Sequence, residues 1–154
     1  AQLMVKIEGP FLVNFIGDGP LKEDLQAISR DDKRIRVSKT LSQDKMATAI
    51  RSFDVGLCLI QETTMSNYFS IPNKLLEYLE MGVPVLASDF PDIAEVVQAG
   101  DYGVLVNPRD VKGVERTVRE LLAAPNLPRP FLDEVYRWPR QQENLQRLYR
   151  KCEH

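Results

Sequence analysis

Short, continuous apolar runs alternate with amphipathic stretches along almost the whole chain. FLVNFI (11–16), the IRV core of 34–38, DVGLCLI (54–60), PVLAS (84–88) and GVLV (103–106) are β-rich and lack a polar residue at every second place. A strand that faces water on one side shows that alternation. A strand buried on both faces does not, so these five runs predict a parallel sheet covered by helices on both sides. The segments between them have helical spacing. LKEDLQAIS follows Pro20, and Met46, Ala47 and Ile50 share one face of a helix over 43–52 that Ser42 is placed to cap. A third helix starts near Pro72 and stops at Gly82, and a fourth spans about 92–99 and stops at Gly100. The fifth, over 110–123, turns Val111, Val114, Val118, Leu121 and Leu122 inward. A Pro-rich linker, APNLPRP, then leads to a C-terminal helix over 139–151, with Leu145, Leu148 and Tyr149 on one face and Trp138 and Tyr149 as packing anchors. The expected class is α/β, a doubly wound, Rossmann-like parallel sheet, and 1–154 reads as one domain.

Composition narrows the function classes. With 20 Lys and Arg against 22 Asp and Glu, the chain lacks the basic excess of a protein that neutralises many phosphates, so nucleic acid is not an expected partner. The one histidine is His154, so zinc sites and His-based nucleophile chemistry are not expected, and no metal or cofactor is implied. Cys58 sits in an apolar run as a buried thiol would, and Cys152 lies near the C-terminus, which fits a reducing, cytoplasmic setting better than a disulfide framework. No apolar run reaches membrane-spanning length, and no signal peptide is visible.

In doubly wound sheets, ligands bind outside the C-terminal ends of the strands. The segments to examine are therefore 17–20, 38–42, 61–73, 88–92 and 107–110. The densest is SNYFSIPNKLLEYLEMG (66–82). Ser70, Asn73 and Lys74 lie where a strand-end loop enters a helix, and the free amides and dipole there favour an anion such as a diphosphate. Lys74 adds a mobile cation, and Glu77, one turn deeper, is placed to accept hydrogen bonds from a ribose diol. The plainer alternative makes Ser70 and Asn73 caps and Lys74 and Glu77 solvated charges. Gly17 and Gly19 in GDGP leave room for close approach of a ligand, though many turns look like this. Asp89 or Asp92 is placed to cap the helix that follows PVLAS. Arg137, Arg140, Arg147, Arg150 and Lys151 form a basic stretch able to meet acidic lipid headgroups, although a solvated helix face is the commoner meaning of such a stretch.

The order FIGDGPLKEDL, FDVGLCLI, SIPNKLLEYLEMGVPVLASD and IAEVV-AGDYGVLVNP-D, closed by W-P-x8-L-Y from Trp138 to Tyr149, resembles the donor domain of group 1 retaining nucleotide-sugar glycosyltransferases with the two-domain GT-B fold. The resemblance covers about 10–151. It implies a nucleoside-diphosphate sugar as partner and transfer of a hexose-type sugar, with retention, to a glycan or lipid-linked acceptor, as in cell-envelope polysaccharide synthesis. It also implies an acceptor domain outside this sequence, a fragment inactive alone, and a cytoplasmic location with peripheral contact at the inner face of the membrane. By position, Glu77 matches the second Glu of the family's paired-Glu motif, which holds the donor ribose. Ser70, Ile71, Asn73 and Lys74 match the surroundings of the donor sugar and diphosphate, Gly17 and Gly19 the turn facing the donor, and Thr40 and Leu41 the segment beside the base.

The chain departs from the family pattern in two ways. Phe69 stands where the first Glu of the paired motif, which touches the donor sugar, would be. The sequence also begins near the end of the family's first helix, so the first strand and the Arg and Lys that contact the diphosphate are absent from it. The strand at 11–16 and the strand at 54–60 should then flank a gap, met by residues 2–7 as a substitute strand, by another copy, or by residues outside this sequence, the last being favoured. The rival readings are a nucleotide-sugar epimerase of GT-B fold, which calls for acid/base groups near the sugar, and a non-catalytic flavodoxin-like interaction module.

Overall fold

The computed structural model describes residues 2–123, 129 and 136–152. Most of the Pro-rich linker and the side chains of Trp138 and Cys152 lie outside the described part, as does His154. In chain order the elements are α1 (Gln2–Val5), β1 (Val13–Ile16), α2 (Lys22–Asp31), β2 (Ile35–Ser38), α3 (Gln43–Arg51), β3 (Gly56–Cys58) and α4 (Met65–Tyr68). They continue with α5 (Asn73–Glu80), β4 (Val85–Ser88), α6 (Pro91–Ala99), β5 (Gly103–Val106), α7 (Val111–Ala123) and α8 (Trp138–Cys152). The short helix α4 interrupts what the sequence showed only as a loop. Its N-cap, Thr64, accepts a hydrogen bond from the Asn67 amide at 3.1 Å, which is enough to close one turn.

All three strand pairings are parallel, as the continuous apolar runs require. They form two sheets, β1–β2 and β3–β4–β5. The division falls between β1 and β3, the two strands expected to flank a gap. Among the described residues β1 pairs only with β2, and β3 only with β4. Residues 2–7 supply no substitute strand: Gln2–Val5 is helical and Ile7 is fully buried. Arg34 anchors this segment. Its guanidinium donates to the carbonyl of Ile7 at 2.6 Å, makes a two-pronged pair with Asp32 and stacks over the Phe11 ring at 4.5 Å.

Both faces of the three-stranded sheet are covered, and the alternation along β4 shows it. Val85 and Ala87 enter one cluster with Leu75 and Leu79 of α5 and Ile93, Val96 and Val97 of α6. Leu86 points the other way, into a cluster with Ile7, Val13, Ile35 and Val114 and Val118 of α7. That second cluster draws on both sheets and packs them together. Each fully buried Leu or Val contributes roughly 1.5–3 kcal/mol by leaving water.

Several local expectations need correction. Ser42 occupies the N-cap of α3, but its side chain makes no capping bond. Helix α6 is capped in backbone terms by Phe90, with Pro91 in its first turn, so neither Asp89 nor Asp92 serves as cap. In α7, Val114 and Val118 are buried, whereas Val111 and Leu122 are exposed, because the inward stripe is narrower than the apolar pattern. The predicted stop at Gly82 holds: its φ of +72° suits glycine, and the Val83 amide turns back to the Tyr78 carbonyl at 2.9 Å.

Candidate functional site

The C-terminal ends of β1 and β2 carry one group of the expected residues. Gly17 adopts φ +147°, which disfavours any other residue, and the space where a Cβ would stand is open. Its amide continues the parallel pairing by donating to the Ser38 carbonyl at 3.1 Å. Gly19 likewise faces open space. Between them, Asp18 takes a hydrogen bond from the Thr40 hydroxyl at 3.2 Å and an ion pair from Lys22. The Lys22 ammonium, helped by Thr40, holds the Asp18 carboxyl below the usual aspartate range. Gly17, Gly19 and Thr40 are thus tied into one rim, with Leu41 next in sequence and half-buried. The sequence assigned Lys22 no role, and Asp18 only that of a lone acidic residue in the interaction-module reading. The four-residue spacing of opposite charges across GDGP was the available signal.

A second group stands at the C-terminal end of β3. Pro72 is the N-cap of α5 with no side-chain bond, and the Leu75 amide folds back to the Pro72 carbonyl at 2.9 Å. The first amides of any helix have no partner within it, so those of Asn73 and Lys74 point outward from this end. Ser70 caps nothing here; its hydroxyl donates to the Asn67 carbonyl at 3.4 Å. Ile71, Asn73, Lys74 and Glu77 are exposed. Lys74 stands in the first turn of α5, a helix that packs against β3. Burial pushes the Cys58 thiol up. Glu77 acts on the Tyr78 phenol, which desolvation first and then the nearby Cys58 and Glu77 also push up.

The loops around this second group are braced from below. Ser88, at the end of β4, is fully buried, accepts from the Ile60 amide at 2.7 Å and donates to the Ile60 carbonyl at 2.8 Å. Beside it, the Asp89 amide donates to the Val106 carbonyl at 2.9 Å. Arg109, just after β5, pairs with Glu62, just after β3, at 2.8 Å and so spans the end of β4. Among the described residues no three His, Cys, Asp or Glu side chains gather in a way that would hold a metal ion. No helix among them is long and apolar enough to cross a membrane.

Comparison with known proteins agrees with this architecture. Residues 3–124 match the family model described as glycosyl transferases group 1. The chain is 34% identical over 113 residues to the sulfoquinovosyl transferase SQD2 of Arabidopsis thaliana, covering 71% of this chain and 21% of that protein. It is 30% identical over 118 residues to the chitobiosyldiphosphodolichol beta-mannosyltransferase of Candida albicans, covering 73% of this chain and 25% of that protein. It therefore spans about a fifth to a quarter of the length of these relatives. Among solved structures, the sucrose-phosphate synthase of Thermosynechococcus elongatus superposes with a TM-score of 0.72 at 17% identity, over 90% of this chain and 38% of that one, which speaks to fold alone. On the family match, the identity to these transferases and the shared fold, the chain belongs to the group 1 glycosyltransferases and forms part of a GT-B architecture.

Proposed function

We propose that this chain binds the nucleoside-diphosphate sugar in an enzyme that passes a hexose-type sugar, with retention, to a glycan or lipid-linked acceptor. The observation that carries this reading is Lys74 in the first turn of α5, a helix that packs against β3 and whose first amides have no partner within it. Amides, helix dipole and cation together suit a diphosphate. In transfer, the bond between the anomeric carbon and the diphosphate breaks and negative charge grows on the leaving oxygen. Fixed donors at that point favour the transition state over the ground state, and they do so without calling on a metal. Glu77, exposed one turn further along α5, accepts from the ribose hydroxyls. In this reading the glycines of the Gly17 to Gly19 turn leave room for the phosphates, and Thr40 and Leu41 lie beside the base. The acceptor is held by the rest of the protein. One relative bears a dolichol-linked sugar in its name, in keeping with a lipid-linked acceptor and peripheral contact with a membrane.

Ligand-observed NMR with a panel of nucleotide sugars tests the reading on the full-length protein. Saturation transfer to the base and ribose protons of at least one member is expected. A panel that shows no transfer at all would refute donor binding. Glu77→Ala should weaken use of the donor about ten- to hundredfold, since it removes charge-assisted hydrogen bonds. Unchanged donor kinetics would return Glu77 to a solvated helix charge.

A further inference from the structure

Helix α8 has nothing beneath its apolar stripe. Leu145, Leu148 and Tyr149 are spaced three and four residues apart, so they share one face, and they are 44%, 59% and 67% exposed. Among the described residues no strand or other helix packs closely against α8. The opposite face is basic. Helical spacing places Arg140, Arg147 and Arg150 on it, and Glu143 is the one carboxylate of Trp138–Cys152. Glu143 pairs with Arg140 at 3.1 Å, whereas Arg147 and Arg150 meet no carboxylate among the described residues. Helix α8 thus carries four Lys and Arg against one Glu, in a chain whose acidic residues outnumber its basic ones, 22 to 20. A helix with apolar and cationic residues on separate faces and little overall hydrophobicity is the kind that lies in the surface of a bilayer.

We infer that α8 is a docking surface for an anionic lipid bilayer, entered by Leu145, Leu148 and Tyr149 and held by Arg147 and Arg150. The inference rests on the peripheral membrane contact proposed above and names the segment that makes it. Charge complementarity selects this occupant. The helix calls for an apolar medium and a negative field side by side, and an acidic lipid surface offers both. Acyl chains take Leu145 and Leu148, and the Tyr149 ring sits at headgroup level with its hydroxyl in water. The long Arg147 and Arg150 side chains reach past the helix to the lipid phosphates. A stable protein interface buries roughly 1,200–2,000 Å², and three apolar residues on one helix fall short of that. A bilayer sets no such threshold, because apolar insertion and attraction to anionic headgroups add residue by residue.

Flotation of the full-length protein with vesicles tests the inference, using phosphatidylcholine alone and phosphatidylcholine mixed with phosphatidylglycerol. Binding to the mixed vesicles is expected, and it should weaken as salt is raised. Leu148→Asp should lower the partition coefficient about tenfold. Arg147→Gln and Arg150→Gln should each lower it about fivefold on mixed vesicles and leave it unchanged on phosphatidylcholine. Arg150→Lys, which keeps the charge, should not lower it. Binding to mixed vesicles that no α8 variant weakens overturns the assignment of α8 while peripheral contact stands. If the unsubstituted protein binds neither vesicle, the peripheral contact fails first and the assignment falls with it. Thermal melting without lipid covers the remaining case. A Leu148→Asp protein that melts earlier, while the two Arg→Gln variants bind vesicles normally, shows that the protein itself covers this face and overturns the inference.

Discussion

Replacing Ser88 with alanine should be the most costly small change near the site. Its hydroxyl is fully buried and serves one residue twice, accepting from the Ile60 amide at 2.7 Å and donating to the Ile60 carbonyl at 2.8 Å. Alanine keeps the packing but leaves both backbone groups of Ile60 without that partner. A buried group so orphaned costs roughly 1–3 kcal/mol. Ile60 is half-buried, so water reaches part of it and the lower half of that range applies, giving about 2–4 kcal/mol for the pair. Urea unfolding followed by circular dichroism measures it as a lower midpoint at unchanged slope. Ser52→Ala is the control: its exposed hydroxyl donates to the Ala49 carbonyl at 2.7 Å, and its loss should cost less than ~0.5 kcal/mol. Ser88→Ala should also loosen the chain from Gln61 to Thr64, which leads into α4. A Ser88→Ala loss no larger than that of Ser52→Ala would show that the two hydrogen bonds brace nothing.

Other outcomes follow from the same structure. Asp18 titrates below the usual aspartate value of ~3.9. A depressed pKa adds stability above the unfolded value that is lost as pH falls through the folded one. The Asp18–Thr40–Lys22 rim should therefore persist through neutral pH and come apart only in acid below about pH 4, and a side-chain carboxyl NMR titration with a midpoint at or above 3.9 refutes it. Burial pushes the Cys58 thiol up, so in the native protein iodoacetamide at pH 8 should leave the Cys58 peptide unmodified by mass spectrometry until urea unfolds it; prompt labelling would contradict the buried placement. Strands β1 and β3 each use one edge among the described residues, so the isolated 154-residue chain should self-associate in sedimentation and transfer no sugar. A stable monomer that turns over a nucleotide sugar would show that those edges are satisfied within the chain.

What could be read from the residues was whatever depends on near neighbours. Continuous apolar runs announced strands buried on both faces; Val85 to Ser88 is buried at every position, whereas β2 exposes Arg36 and Ser38. Pro72, Gly82 and Gly100 marked helix ends because their backbone limits act locally. The order of the motifs from FIGDGP to GVLVNP sufficed for the family, since that order is a property of the chain itself. The Ser70–Lys74 turn was legible as a loop entering a helix for the same reason.

Tertiary structure alone decided what depends on residues distant in sequence. Asp18 turns to Thr40, 22 residues away, and Ser88 closes on Ile60, 28 residues away. Residues 2–7 became a helical segment anchored by Arg34, 27 residues beyond Ile7, although their apolar composition equally suited a strand. Val111 and Leu122 carry the helical pattern yet stay exposed, while Val114 and Val118 of the same helix are buried. Phe69 reads in the sequence only as the absence of a carboxylate. Its ring gains an orientation from Tyr68, and Tyr68 from Phe90, 22 residues further on. Pattern and propensity act over one or two turns of chain, whereas the partners of a side chain are chosen by how the sheets and helices pack.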